Sequence, residues 1–131
     1  MFIDASALTA MIVDEHDGIA LMRRMQKVRR RMTSPIAVWE ATLAVARLTG
    51  RSSAEAKQGL DRFLELGCVE LTAIPADVTA LAIDAFDRFG KGRHRARLNM
   101  GDCFAYACAR HFGQPLLYKG DDFAQTDIEA A

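Results

Sequence analysis

The sequence predicts an α/β domain built on a mostly parallel sheet with helices on both faces. Short apolar runs rich in β-branched residues alternate with longer segments that begin and end on helix-capping residues. No repeat or linker divides the 131 residues, so one domain over 1–131 is expected, long enough to bury a core unaided.

Taken in order, residues 1–4 read as a short buried strand ending at Asp4, and Ser6 opens a helix through ALTAMIV. A second helix is expected from about Asp14 to Val28, with Ile19, Met22 and Met25 at three-residue spacing forming its packed stripe. MTS reads as a strand, and Ser34-Pro35 starts a helix that carries Glu40 and stops at Gly50. Ser52 or Ser53 caps another helix, running to Leu66 and stopped by Gly67. CVELTAI reads as a strand, and Pro75 opens a helix to Phe89. Two glycines make GKGRHRAR a mobile loop. Asn99 or Gly101 then leads into the helix DCFAYACARHF, and Gly113-Gln114-Pro115 turns the chain into the strand LLY and the loop KGDDF. Trp39 and the aromatic residues of the last helix lie in apolar runs and are expected in the core.

Net charge is zero, but residues 23–31 hold six Arg or Lys and no acid, and residues 88–97 hold five and no acid, while the tail from Asp121 is acidic. The surface is therefore polarised, and the 88–97 loop is a candidate for phosphate contacts. Cys68, Cys103 and Cys108 form an odd set without a CxxC, which argues against a disulfide framework or zinc knuckle and suits a reducing compartment. No apolar run approaches the roughly 20 residues that span a bilayer, and no basic leader precedes MFIDAS, so no membrane association and a cytoplasmic location are expected.

Four acidic positions stand out: Asp4, Glu40, Asp102 and the pair Asp121/Asp122. Each sits beside an apolar run, where a lone charge is costly to bury. Asp4 and the Asp121/Asp122 pair follow short strands and Asp102 starts a helix, so one parallel sheet can bring them to the same edge, where ligands bind in open α/β sheets. Carboxylates gathered in this way repel one another unless a cation lies between them, and an all-oxygen set favours Mg²⁺ or Mn²⁺ over zinc. Such ions activate water and stabilise charge on a phosphodiester, which points to a metal-dependent nuclease without a covalent enzyme intermediate. Taken singly, Asp4 could cap its helix, Asp102 could be a favourable first-turn charge, and Glu40 could meet Arg47, although seven residues is not a close helical spacing. His16, His94 and His111 have no evident nucleophile beside them.

FIDASAL at residues 2–8, the WEA acid at Glu40, GKGRHRARLNMGDCFAYACA at 90–109 and PLLYKGDDFAQTDI at 115–128 together resemble the PIN-domain ribonucleases of the VapC toxin class, over nearly the whole chain. The resemblance implies a three-layer α/β/α fold, Mg²⁺- or Mn²⁺-dependent endoribonuclease activity on RNA, and a cognate VapB-type antitoxin binding beside the active site. Matched motif by motif, it assigns Asp4 and Asp102 as the principal metal ligands, with Glu40 closing the site directly or through water. Asp122 is taken as the fourth acid, with Asp121 and Asp127 as alternatives. Apolar helices on a chain of this size also make a homodimer the expected assembly. A nuclease of the same fold acting on DNA or in RNA processing, and a binding module whose acids only cap helices, are the competing readings.

Overall fold

In a computed structural model describing residues 1–131, four parallel strands form one sheet in the order β3-β2-β1-β4. These are β1 (Phe2–Ile3), β2 (Arg31–Thr33), β3 (Val69–Leu71) and β4 (Leu116–Leu117). Phe2 pairs with both Met32 and Leu116, and Arg31, Met32 and Thr33 pair with Val69, Glu70 and Leu71. The strands are only two or three residues long, so tertiary ties supplement the ladders. The N-terminal ammonium donates to the Arg30 carbonyl at 2.6 Å and to Gln114 Oε1 at 2.8 Å, and Thr33 Oγ1 donates to the Ile3 carbonyl at 2.8 Å.

Strand side chains alternate between faces, and here that alternation divides two cores. Phe2 and Leu116 belong to one, with helices α5 (Val78–Phe89) and α6 (Met100–His111). Ile3 and Leu117 belong to the other, with α1 (Ala5–Ile12), α2 (Gly18–Gln26), α3 (Pro35–Thr49) and α4 (Ser53–Leu66). The result is a three-layer α/β/α sandwich. No helix is long and apolar enough to cross a membrane.

Three of the six helix starts, at Ser34, Ser52 and Asn99, follow the capping residues read from the sequence, and Asp4 rather than Ser6 caps α1. Ser34 accepts from the Ala37 amide with Pro35 behind it, Ser52 and Glu55 form a capping box, and α3 ends on Gly50 in a left-handed conformation. Four further expectations need correction. Helix α2 starts at Gly18 rather than Asp14, because Asp14 takes a positive φ of 55° and the chain turns through 14–17 first. A Cβ on Gly18 would lie 2.6 Å from the Ala10 carbonyl oxygen, so glycine permits the close approach of α2 to α1. The buried face of α2 is consequently Gly18, Leu21 and Met25, and Ile19 is exposed. Pro75 forms a turn, closed by the Val78 amide on its carbonyl at 3.1 Å, and the helix begins at Val78.

Trp39 is the third correction: it points outward from α3, 60 % exposed, whereas Tyr106 in α6 is buried. The fourth is the segment read as a mobile loop. It is closed by Lys91 N to Leu98 O at 2.9 Å and Leu98 N to Phe89 O at 3.0 Å, with Ala96 and Leu98 fully buried. Its Arg93 pairs with Asp87 at 3.3 Å and lies over the Phe86 ring. His94 accepts from the Ala96 amide and packs edge-on against Phe89, which makes it part of the loop's own scaffold.

Candidate active site

A cleft of about 390 Å³ opens at the carboxyl edge of β1 and β2, and Asp4, Glu40 and Asp102 line it together. Each arrives from a different element. Asp4 follows β1 and is the N-cap of α1, its Oδ2 accepting from the Ser6 amide at 2.8 Å and the Ser6 hydroxyl at 2.6 Å. Glu40 projects from α3. Asp102 closes a capping box with Asn99 at the start of α6, its carboxylate accepting from the Asn99 amide at 2.8 Å. Asp4 and Asp102 therefore do cap their helices, and the same hydrogen bonds fix both carboxylates at the cleft.

The three acids share an electrostatic problem. Burial holds the Asp4 carboxyl above its ordinary range, despite the opposing bonds from Ser6 and Ala5. Burial, then the charges of Asp4 and Asp102, push Glu40 up to about 7. Burial also raises Asp102 to about 6, with Asp4 and Asp122 adding to the effect and the Asn99 hydrogen bond opposing it. Arg47 lines the same cleft but forms no ion pair with Glu40.

One consequence is measurable without substrate. The ordinary values are 4.5 for Glu40 and 3.8 for Asp102, so the folded protein holds these protons more tightly than the unfolded chain does. The penalty of the ionised cluster is fully present above the folded values and fades as pH falls through them. Metal-free protein is expected to melt higher near pH ~6 than near pH ~8, and Glu40→Gln is expected to flatten that difference. Thermal melts in chelator would check it; identical pH profiles for the two proteins would contradict it.

The remaining acids are placed differently. Asp121 and Asp122 are exposed beyond β4 and do not wall the cleft, although Asp122 is near enough to raise Asp102. Asp122 precedes a 3-10 turn over Phe123–Gln125. Asp127 is engaged elsewhere: its carboxylate accepts from the Tyr106 hydroxyl at 2.6 Å and pairs with Arg88 at 2.6 Å, which together hold it below the usual carboxylate range. No group of three or more His, Cys, Asp or Glu side chains stands in a geometry ready to hold a metal ion.

Three cleft residues carry no signal in the sequence reading. A Cβ on Gly101 would lie 2.1 Å from both Glu40 carboxylate oxygens, so only glycine leaves them where they are. Glu15 and Lys119 form an ion pair at the rim, and the Lys119 amide donates to Ser6 Oγ at 2.9 Å, tying the turn after β4 to the Asp4 cap. A glycine inside the first turn of a helix is the one clue that could have exposed Gly101. Glu15 is placed by the irregular 14–17 turn, which spacing does not reveal. No histidine or cysteine lines the cleft, and burial pushes the Cys103 and Cys108 thiols up to about 11, far from thiolate chemistry.

Comparison with known proteins agrees with this architecture. Residues 1–129 match the PIN domain family. Ribonuclease VapC30 of Mycobacterium tuberculosis is 41 % identical over 128 residues, covering 98 % of this chain and 95 % of the relative. Ribonuclease VapC of Mycolicibacterium smegmatis is 41 % identical over 130 residues, covering 99 % and 98 %. The crystal structure of M. tuberculosis VapC20, described as a sarcin-ricin loop cleaving toxin, superposes with a TM-score of 0.74 over 99 % of this chain and 97 % of that one; at 18 % identity it supports the fold. The chain belongs to the PIN-domain family, among the VapC-type ribonuclease toxins.

Proposed function

We propose that the chain is a Mg²⁺- or Mn²⁺-dependent endoribonuclease and the toxin of a type II toxin-antitoxin pair. The observation that carries this reading is the convergence of Asp4, Glu40 and Asp102 from three elements on one cleft, where burial raises all three and the neighbouring charges raise Glu40 and Asp102 further. The donor set fits the proposed cation: it is all oxygen, acidic, and free of the thiol and imidazole ligands that zinc favours. A bound divalent ion would supply activated water and charge stabilisation on the phosphodiester.

The chain's own residues supply the rest. Asp4 and Asp102 would hold the ion, with orientations set by Ser6 and by the Asn99 capping box. Glu40 would close the site directly or through water, in the space left by Gly101. Asp122, exposed in the turn after β4, would be the fourth acid. Lys119 and Arg47 are the cations lining the cleft and would meet the substrate phosphate that the carboxylates repel.

A nuclease assembled this way needs restraint by a partner, which we take to be a VapB-type antitoxin whose tail presents Arg or Lys to Asp4 and Asp102. The apolar outer face of α5, with Ile83 and Phe86 beside Met100, is our choice for a homodimer surface. Light scattering showing a single chain at every concentration would refute that pairing.

The purified protein is expected to cleave RNA in Mg²⁺ or Mn²⁺, to stop on addition of chelator, and to be silenced by co-expression with its small partner. Sequencing the RNA ends after brief expression would read the cleavage sites. Cleavage of DNA in preference to RNA, or separate elution from the partner with undiminished cleavage, would favour the same fold in a non-toxin role.

A further inference from the structure

We propose that the basic strip along α2 and the turn into β2 is a phosphate-binding track that holds RNA lying outside the cleft. The inference rests on the ribonuclease reading and extends it from the site of cleavage to the body of the substrate. It starts from an imbalance: the chain carries no net charge, yet residues 18–39 contain no acid at all. Arg23, Arg24, Lys27, Arg29 and Arg30 are all exposed, and none takes part in an ion pair. Lacking a partner does not by itself set them apart, since Arg51, Arg62 and Arg110 have none either; the uninterrupted run of cations does.

The helix is built to present these charges. Leu21 and Met25 face the core, which leaves Arg23 on the outer side of α2. Arg24 lines the flank turned toward the chain after β4, with Lys27 three residues on at the end of the same helix, and Ile19, Met22 and Arg23 border the opposite flank. Arg31 has a different task. It donates to the carbonyls of Val28 at 2.7 Å, Gly67 at 2.6 Å and Gln26 at 3.3 Å, so it secures the turn that displays Arg29 and Arg30.

The strip also connects to the cleft. A depression of about 210 Å³ beside Arg24 is walled by Tyr118, Lys119 and Gly120, with Asp17 its one acid, and Lys119 is at the same time a wall of the carboxylate cleft. A strand of RNA leaving the acidic cleft past Lys119 therefore meets Arg24 next, then Lys27 and the turn. Long, unpaired cations suit a phosphate backbone, which needs charge and reach, and the exposed apolar Ile19 of this helix lies on the flank away from Arg24 and Lys119.

The test compares Arg24→Gln/Lys27→Gln/Arg30→Gln with a charge-matched control, Arg51→Gln/Arg62→Gln/Arg110→Gln, on total transfer RNA and on a short single-stranded oligonucleotide. The track predicts that KM for transfer RNA rises roughly tenfold in the first variant, and that the log-log salt dependence falls by about 2, or about 0.7 for each phosphate no longer neutralised. The loss should grow with RNA length, and the control should show much less of it. Equal losses in the two variants would reduce the effect to bulk charge and overturn the track. Unchanged RNA kinetics with weakened binding of the co-expressed partner would reassign the strip to an acidic protein. A parent protein that cleaves neither RNA in Mg²⁺ or Mn²⁺ would instead refute the ribonuclease reading, and the track with it.

Discussion

Asp102→Asn is expected to abolish RNA cleavage while leaving the fold intact, with a loss of about 10²-fold to 10³-fold or more, the scale on which one positioned electrostatic group contributes to a transition state. Asparagine is nearly isosteric, and its side-chain oxygen can still accept from the Asn99 amide, so the capping box that starts α6 survives. What disappears is a charge. Asp102 is one of the two neighbours that raise Glu40, so its neutralisation should also bring Glu40 down from about 7 and relieve the repulsion within the metal-free cleft. The variant should therefore melt no lower than the parent at neutral pH in chelator. Cleavage rates at saturating Mg²⁺ paired with thermal melts check both halves; a variant that cleaves normally would remove Asp102 from the chemistry.

The second large effect is expected from Gly101→Ala, a change that adds one methyl group. Its Cβ would sit 2.1 Å from both oxygens of Glu40, well inside van der Waals separation, and Glu40 must leave. The obstacle is the far end of a flexible side chain, so the carboxylate can swing away without moving α3 or α6. Alanine is also better than glycine in a helix by about 1 kcal/mol. Folding stability should hold or rise. The affinity for Mn²⁺ should fall by about 10-fold to 100-fold, as when a group supporting a metal site is removed, and cleavage should fall with it. A stable Gly101→Ala protein with full metal affinity would show that Glu40 does not need its observed position.

These two residues mark how far the sequence can be read. Asp102 was legible because an acid at the start of an apolar helix, after a strand-helix alternation, has few places to go but a sheet edge. Helix starts at Ser34-Pro35, Ser52 and Asn99 were legible for the same local reason: a cap satisfies backbone amides wherever the chain later packs. Gly101 was not, because its importance comes from Glu40, some sixty positions away. The start of α2 depends on the approach of Gly18 to the Ala10 carbonyl, and Trp39 faces outward although its neighbours in sequence are apolar. Asp127 resembles the other acids in sequence, yet Tyr106 and Arg88 take up its carboxylate. The loop at 90–98 has the composition of a flexible segment; its order comes from a bridge between Gly90 and Leu98 and from the burial of Ala96.

The proposed site has Asp4 and Asp102 holding a divalent cation, with Glu40 closing around it. Titration of Mn²⁺ into the chelator-treated protein, followed through the electron paramagnetic resonance signal of the free ion, tests it most directly. Saturable binding by the parent is expected, weakening as pH falls below about 7, where Glu40 takes up a proton, and binding should vanish in Asp4→Asn/Asp102→Asn. Mn²⁺ bound equally well by that double variant, or not bound by the parent at neutral pH, would contradict it.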